Sequence, residues 1–158
     1  MAKKAVKITG LQKINRNLNT QIKRIEGRTP AGLIHAGMLV MQSMEGNSPK
    51  IPIDTANLRS SQFMVTADSG QTDATFKGDK AGELQTNHAS VVSSARATAR
   101  SSRYPMLVLG FSANYAEEVH ETEKNYKRPG SGAYFFEKAL EREKDNILKA
   151  IKDETQIK

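Results

Sequence analysis

Two stretches near opposite ends of the chain repeat apolar residues at helical spacing, so the residues between them must pack on or beside helices. In the first, Leu11, Ile14, Leu18, Ile22 and Ile25 recur every three or four positions, which puts them on one helix face. Lys13, Arg16, Lys23 and Arg24 stand between them. The pattern predicts an amphipathic helix with a basic outer face, ended by Gly27. Thr29 and Pro30 then offer an N-cap and a first helical residue for a second helix. Its inner face holds Leu33, Ile34, Gly37, Met38, Met41 and either Met44 or Glu45, and it stops by Gly46-Asn47-Ser48-Pro49. Gly32 and Gly37 weaken this helix relative to alanine, and close approach of another backbone is one reason to keep them. In the second stretch, residues 133–153, Phe136, Leu140, Ile147 and Ile151 form the stripe, widened by Phe135, Ala139 and Leu148.

Between these ends the pattern turns to strands and loops. Residues 60–67 and 104–111 read as strands; short strands are also expected over 5–9 and near 74–77. Pro49 and Pro52 bar regular helix around Ile51, and Asp54 is placed to form an Asx-turn or a cap. Residues 115–120 predict a short helix, followed by a polar loop over 121–132. Residues 68–103 are rich in Asp, Gly, Ser, Ala and Arg. Their sparse apolar content predicts an extended polar loop or β-arm that includes His88. The order predicts an α+β fold: N-terminal helices and a long C-terminal helix packed on a small antiparallel sheet. The 158 residues are expected to form one domain, with a basic arm over 1–10 and an insertion over 68–103.

Charge and composition narrow the functions. The net charge is +7, and residues 1–28 account for it, with eight basic side chains against Glu26. The remaining residues balance. Such a block points to a polyanion or an acidic partner surface, the simpler alternative being a solvated helix face. There is no cysteine, which excludes disulfide scaffolds and thiolate metal sites. No apolar run approaches the roughly 18 residues of a membrane span. The basic start is followed by no apolar region of a secretory signal, so none is expected.

No catalytic arrangement emerges, and no cofactor or metal is expected. His35 lies beside an apolar helix face, where packing is its expected role. Glu117, His120 and Glu121 would share a helix face, yet they lack HExxH spacing, and an exposed acidic turn explains them as well. No G-x-S-x-G elbow and no phosphate-binding loop are present. Gly130-Ser131-Gly132 precedes a helix start, where either an anion or a simple hinge fits. Aromatic residues are 6% of the chain and are not interleaved with basic ones, so stacking on single-stranded nucleic acid is not supported. Nonspecific phosphate contact stays open as an alternative function. The basic candidates for subunit or DNA contact are Lys3, Lys4, Lys7, Lys23, Arg24, Arg96, Arg100 and Arg103. The acidic candidates for an interface are Glu117, Glu118, Glu121 and Glu123.

Three stretches carry a resemblance. Pro52-Ile53-Asp54-Thr55-Ala56-Asn57-Leu58-Arg59-Ser60-Ser61 resembles a P-x-D-T-G-x-L-R-x-S pattern, with Ala56 where glycine is common. Tyr115-Ala116-Glu117-Glu118-Val119-His120-Glu121 resembles Y-A-x-x-V-[EH]-E. Gly132-Ala133-Tyr134-Phe135-Phe136-Glu137-Lys138-Ala139-Leu140 resembles a closing A-x-F-L-x-x-A-L helix start, with Phe136 for leucine. Together with Ile8-Thr9-Gly10-Leu11, their order is similar to the neck or tail-completion proteins, often minor tail or minor capsid components, of tailed double-stranded DNA bacteriophages. The resemblance implies a non-enzymatic virion subunit made in the host cytoplasm. It would form a ring with its own copies around the DNA path, between connector or head-closure proteins and tail terminator or tube proteins. It further implies structural roles for Asp54, Leu58, Arg59, Tyr115 and Phe136, with Phe63, Val119 and Leu140 also in the core.

Overall fold

A computed structural model describes residues 11–53, 57–77 and 81–156, with side chains from Arg16 onward. The expected strand over 5–9, the arm residues Lys3, Lys4 and Lys7, and Asp54 lie outside the described residues. The first helix, α1 (Leu11–Gly46), is one element of 36 residues rather than the two predicted, with Pro30 inside it. Nothing at Gly27 forces a turn, since a side chain there would meet open space. Pro30 removes the N–H that the Glu26 carbonyl would accept, but Glu26 is exposed and water can take its place. Thr29 does not cap a new helix: its Oγ1 donates to the Ile25 carbonyl oxygen at 2.8 Å.

A one-turn helix, α2 (Asn57–Ser60), leads into β1 (Gln62–Val65), and β2 (Gly70–Gln71) returns beside it. The segment near 74–77 expected as a strand is not one; β2 lies just before it. The predicted loop over 68–103 is also corrected, because Ala81–Ser101 is a 21-residue helix, α3. Its buried stripe is Leu84, His88, Val92, Ala95 and Ala99, which follows helical spacing once histidine and alanine are counted as interior residues. Then come β3 (Val108–Phe111), α4 (Ala116–Glu121) and α5 (Phe135–Thr155).

The result is the α+β architecture that the pattern predicted. The sheet order is β2-β1-β3, antiparallel throughout. Phe63 of β1 pairs with Gly110 of β3, and Val65 with Val108. All four β1 residues are buried, because the sheet is covered on both faces. Phe63 and Val65 pack on Val92 and Ala95 of α3. Met64, pointing to the other face, approaches Gly37 of α1, where an added Cβ would lie 3.0 Å from the methionine sulfur.

α5 runs antiparallel to α1. The Arg142 guanidinium donates to Ser43 Oγ at 2.7 Å and to the Ser48 carbonyl at 2.8 Å, which satisfies acceptors at the C-terminal end of α1. At the other end of α5, Arg28 Nη1 donates to the Gln156 carbonyl at 2.8 Å. Gly32 lies so close to α5 that an added Cβ would meet the Ile151 Cα at 3.1 Å. The main core joins Val40 and Met44 of α1, Ile51, Leu58 of α2, Ala113, and Phe135 and Ala139 of α5. Phe135, Met44 and Ile51 are completely buried, each stabilising by about 1.5–3 kcal/mol. The α5 stripe is rotated from the predicted one. Ala139 and Ala150 face the core, while Leu140, expected inside, is 39% exposed and Leu148 is exposed as well. Small residues on α5 and Gly32 on α1 allow the two helices to approach closely.

Candidate functional site

The described residues hold two surfaces of opposite charge, at opposite ends of the α1–α5 pair. The basic one follows from where α5 stops. Its last residues meet α1 at Arg28 and Gly32, so the α1 residues before Arg28 extend past it. That overhang is about 25 Å long at 1.5 Å per residue. On it Leu18, Ile22 and Ile25 are 55, 43 and 39% exposed, with exposed Arg16, Lys23, Arg24 and Arg28 alongside. The stripe read from the sequence is present, but no described element covers it.

The three arginines named as basic contact candidates, Arg96, Arg100 and Arg103, do not form one surface. Arg96 and Arg100 lie on α3, whereas Arg103 lies beyond its end. Arg100 Nε donates to the Ala67 carbonyl at 2.9 Å. The Arg103 guanidinium lies 5.7 Å from the ring centre of Tyr104. Two of the three are thus engaged with their own chain.

The acidic surface is built by α4 and the residues around it. Glu117, Glu118, Glu121 and Glu123 are all exposed. Lys124 Nζ donates to Glu118 Oε1 at 2.6 Å. That hydrogen bond, more than the accompanying charge attraction, holds the Glu118 carboxyl below its ordinary range, and it raises Lys124. The Tyr126 hydroxyl lies 2.8 Å from the Val119 carbonyl and 2.6 Å from that of Thr122, tying the following loop to the end of α4. Burial pushes its phenol pKa up.

Beneath this surface lies an apolar pocket of about 200 Å³, lined by Leu109 and Phe111 of β3, Ala116 and His120 of α4, and Phe135 and Phe136 of α5, with Glu117 at its edge. The His120 ring meets Phe135 edge-on at 5.0 Å and Tyr134 at 5.8 Å, and its Nε2 is buried without a hydrogen-bond partner. Among the described residues no group of three or more His, Cys, Asp or Glu is placed to hold a metal ion.

The motif residues converge. Leu58 belongs to the main core, and Tyr115, Val119 and Phe136 pack against that same cluster. Arg59 Nε pairs with Glu45 Oε1 at 2.7 Å, and Arg128 Nη1 reaches the other carboxylate oxygen at 3.4 Å. Arg128 also donates to the Glu45 carbonyl at 3.0 Å, so Glu45 joins α1, the α2 turn and the loop before α5. Gly130-Ser131-Gly132 is neither a hinge nor an anion cradle. Lys50 N–H donates to the Gly130 carbonyl and Gly132 N–H to the Lys50 carbonyl, at 2.8 and 3.3 Å.

Two histidines differ from expectation. His35 is exposed rather than packed. His88, read as a loop residue, is buried in α3 with Nδ1 2.6 Å from Ser112 Oγ and Nε2 2.7 Å from the Thr72 carbonyl. The sequence signal for it was its position in the Leu84–His88–Val92 stripe. No helix among the described residues is long and apolar enough to cross a membrane. The fold is α+β, with a basic surface at one end of the α1–α5 pair and an acidic one at the other. Compared with protein-family models, curated proteins and solved structures, the chain matches none.

Proposed function

We propose that this chain is a structural, non-enzymatic subunit of the head–tail junction of a tailed double-stranded DNA bacteriophage. It assembles with its own copies into a ring around the DNA path, between connector or head-closure and tail terminator or tube proteins. The overhanging basic segment of α1 carries the assembly part of this reading. An isolated helix of its length is marginal in water, and Asn17, Asn19, Thr20 and Gly27 lower its propensity further. An uncovered stripe of Leu18, Ile22 and Ile25 on such a helix calls for a partner surface. The virion part rests on the three motifs, whose buried and half-buried side chains meet at one core. The test is light scattering of the purified full chain across concentration, with negative-stain imaging. Discrete rings support the reading, and a monomer at all concentrations refutes it. A second reading, nonspecific binding of nucleic-acid backbone, is favoured by the exposure of Lys23 and Arg24. It requires duplex DNA binding that weakens steeply with salt.

A further inference from the structure

We infer that the pocket between β3, α4 and the start of α5 is the socket for the α1 overhang of a second copy of this chain. The inference rests on the assembly reading above and adds which surfaces meet. Three observations carry it.

The first is fit. The pocket is about 200 Å³ and lined almost wholly by apolar groups, with Leu109, Phe111 and Phe136 in its walls. A cavity of about 150 Å³ already accepts benzene, so this one admits a branched aliphatic side chain. Leu140, 39% exposed one turn beyond Phe136, extends the apolar surface outside it. Leu18, Ile22 and Ile25 present three such side chains on one helix face.

The second is charge. Exposed Glu117 stands at the pocket edge, with exposed Glu121 on the same short helix and exposed Glu137 next to Phe136 on α5, whereas Glu141 is already paired with Lys138 Nζ at 3.0 Å. The overhang carries Arg16, Lys23, Arg24 and Arg28 against Glu26. Complementary potentials of this kind orient partners and fix register.

The third is reach. The pocket is at the N-terminal end of α5, where Phe135 packs with Met44 of α1. The overhang begins at the other end of α5, about 30 Å away along a 21-residue helix, and points farther from it. A chain cannot fill its own pocket. The contact is therefore head-to-tail between copies, a geometry that closes into rings when the rotation per subunit allows. The N-terminal segment of the same chain is a poorer occupant for the stripe, because Lys3, Lys4 and Lys7 repeat the sign of the overhang.

The absence of cysteine in the chain gives a direct test. Asn19→Cys beside the stripe is combined with Glu117→Cys at the pocket edge and oxidised mildly. The expected result is a ladder of covalent dimers and higher species on a non-reducing gel, absent when Asn19→Cys is combined with Glu83→Cys on α3. In parallel, Lys23→Glu with Arg24→Glu raises the half-assembly concentration by about tenfold or more. Adding Glu117→Lys with Glu121→Lys in the same chain restores assembly, which a folding defect would not do. Assembly without a ladder or charge-reversal rescue overturns the socket and leaves the assembly reading standing. No assembly of the unmodified chain overturns both.

Discussion

Replacing His88 by leucine removes the polar link between α3 and the sheet's far edge while keeping an apolar side chain between Phe63 and Phe76, whose rings meet the imidazole edge-on. A carbonyl oxygen only accepts, so the Thr72 contact places the proton on Nε2. Nδ1 then accepts from the Ser112 hydroxyl. Leucine deletes both bonds, each contributing about 1 kcal/mol net. Ser112 is only 6% exposed, so its stranded hydroxyl adds a desolvation cost of about 1–3 kcal/mol. The expected loss is roughly 3–5 kcal/mol, read from the urea midpoint by circular dichroism at unchanged slope. Adding Ser112→Ala to His88→Leu removes the stranded group and recovers about 1 kcal/mol. A loss below about 0.5 kcal/mol would refute the reasoning, because that is the range of surface substitutions. So would a double variant no more stable than the single one.

Three further outcomes follow from other parts of the fold. Gly70→Ala destabilises by about 1–3 kcal/mol, since Gly70 has φ +140° and an added Cβ would run into the Met64 carbonyl oxygen; thermal melting reads it. Arg128→Ala costs more than Arg59→Ala in chemical denaturation, because Arg59 offers a partly exposed ion pair of about 1 kcal/mol or less, while Arg128 also donates to the Glu45 and Ile51 carbonyls. The Glu118 carboxyl titrates below an ordinary glutamate by carbon NMR, and Lys124→Ala returns it to the ordinary range. Because the folded state lowers this pKa, the pair's contribution is present above the ordinary glutamate pKa and is lost as pH falls through the depressed one.

What the sequence made legible depended on how each element is buried. Periodicity exposed α1 and α5 as helices even though the Leu18–Ile22–Ile25 part of the α1 stripe is covered by no described element, and β3 was visible as the apolar run around Leu107 and Leu109. α3 escaped because its inner face is built partly from Ala95, Ala99 and His88, residues that a hydropathy reading counts as neutral or polar. On α5 the expected Phe135 and Ala139 are interior, but Ala150 takes an inside position that a hydropathy reading passes over, and Leu140 and Leu148 face out. Helix continuity through Pro30 was hidden because proline is strongly disfavoured inside a helix and Thr29-Pro30 matches an N-cap followed by a first helical residue. At the candidate site, the acidic stretch of α4 was plain in the sequence. The apolar pocket was not, since it forms only when residues 109–111, 116–120 and 135–136 come together.

Pro30 falls where α5 releases α1, two residues from Gly32 and two from Arg28. A rod gripped along one half, with no described element along most of the other, behaves as a lever, and the missing backbone rung puts its weakest point at the fulcrum. Tilting a 25 Å arm there by about 10° sweeps its tip through roughly 4 Å, so the direction of the arm can change without disturbing the gripped half.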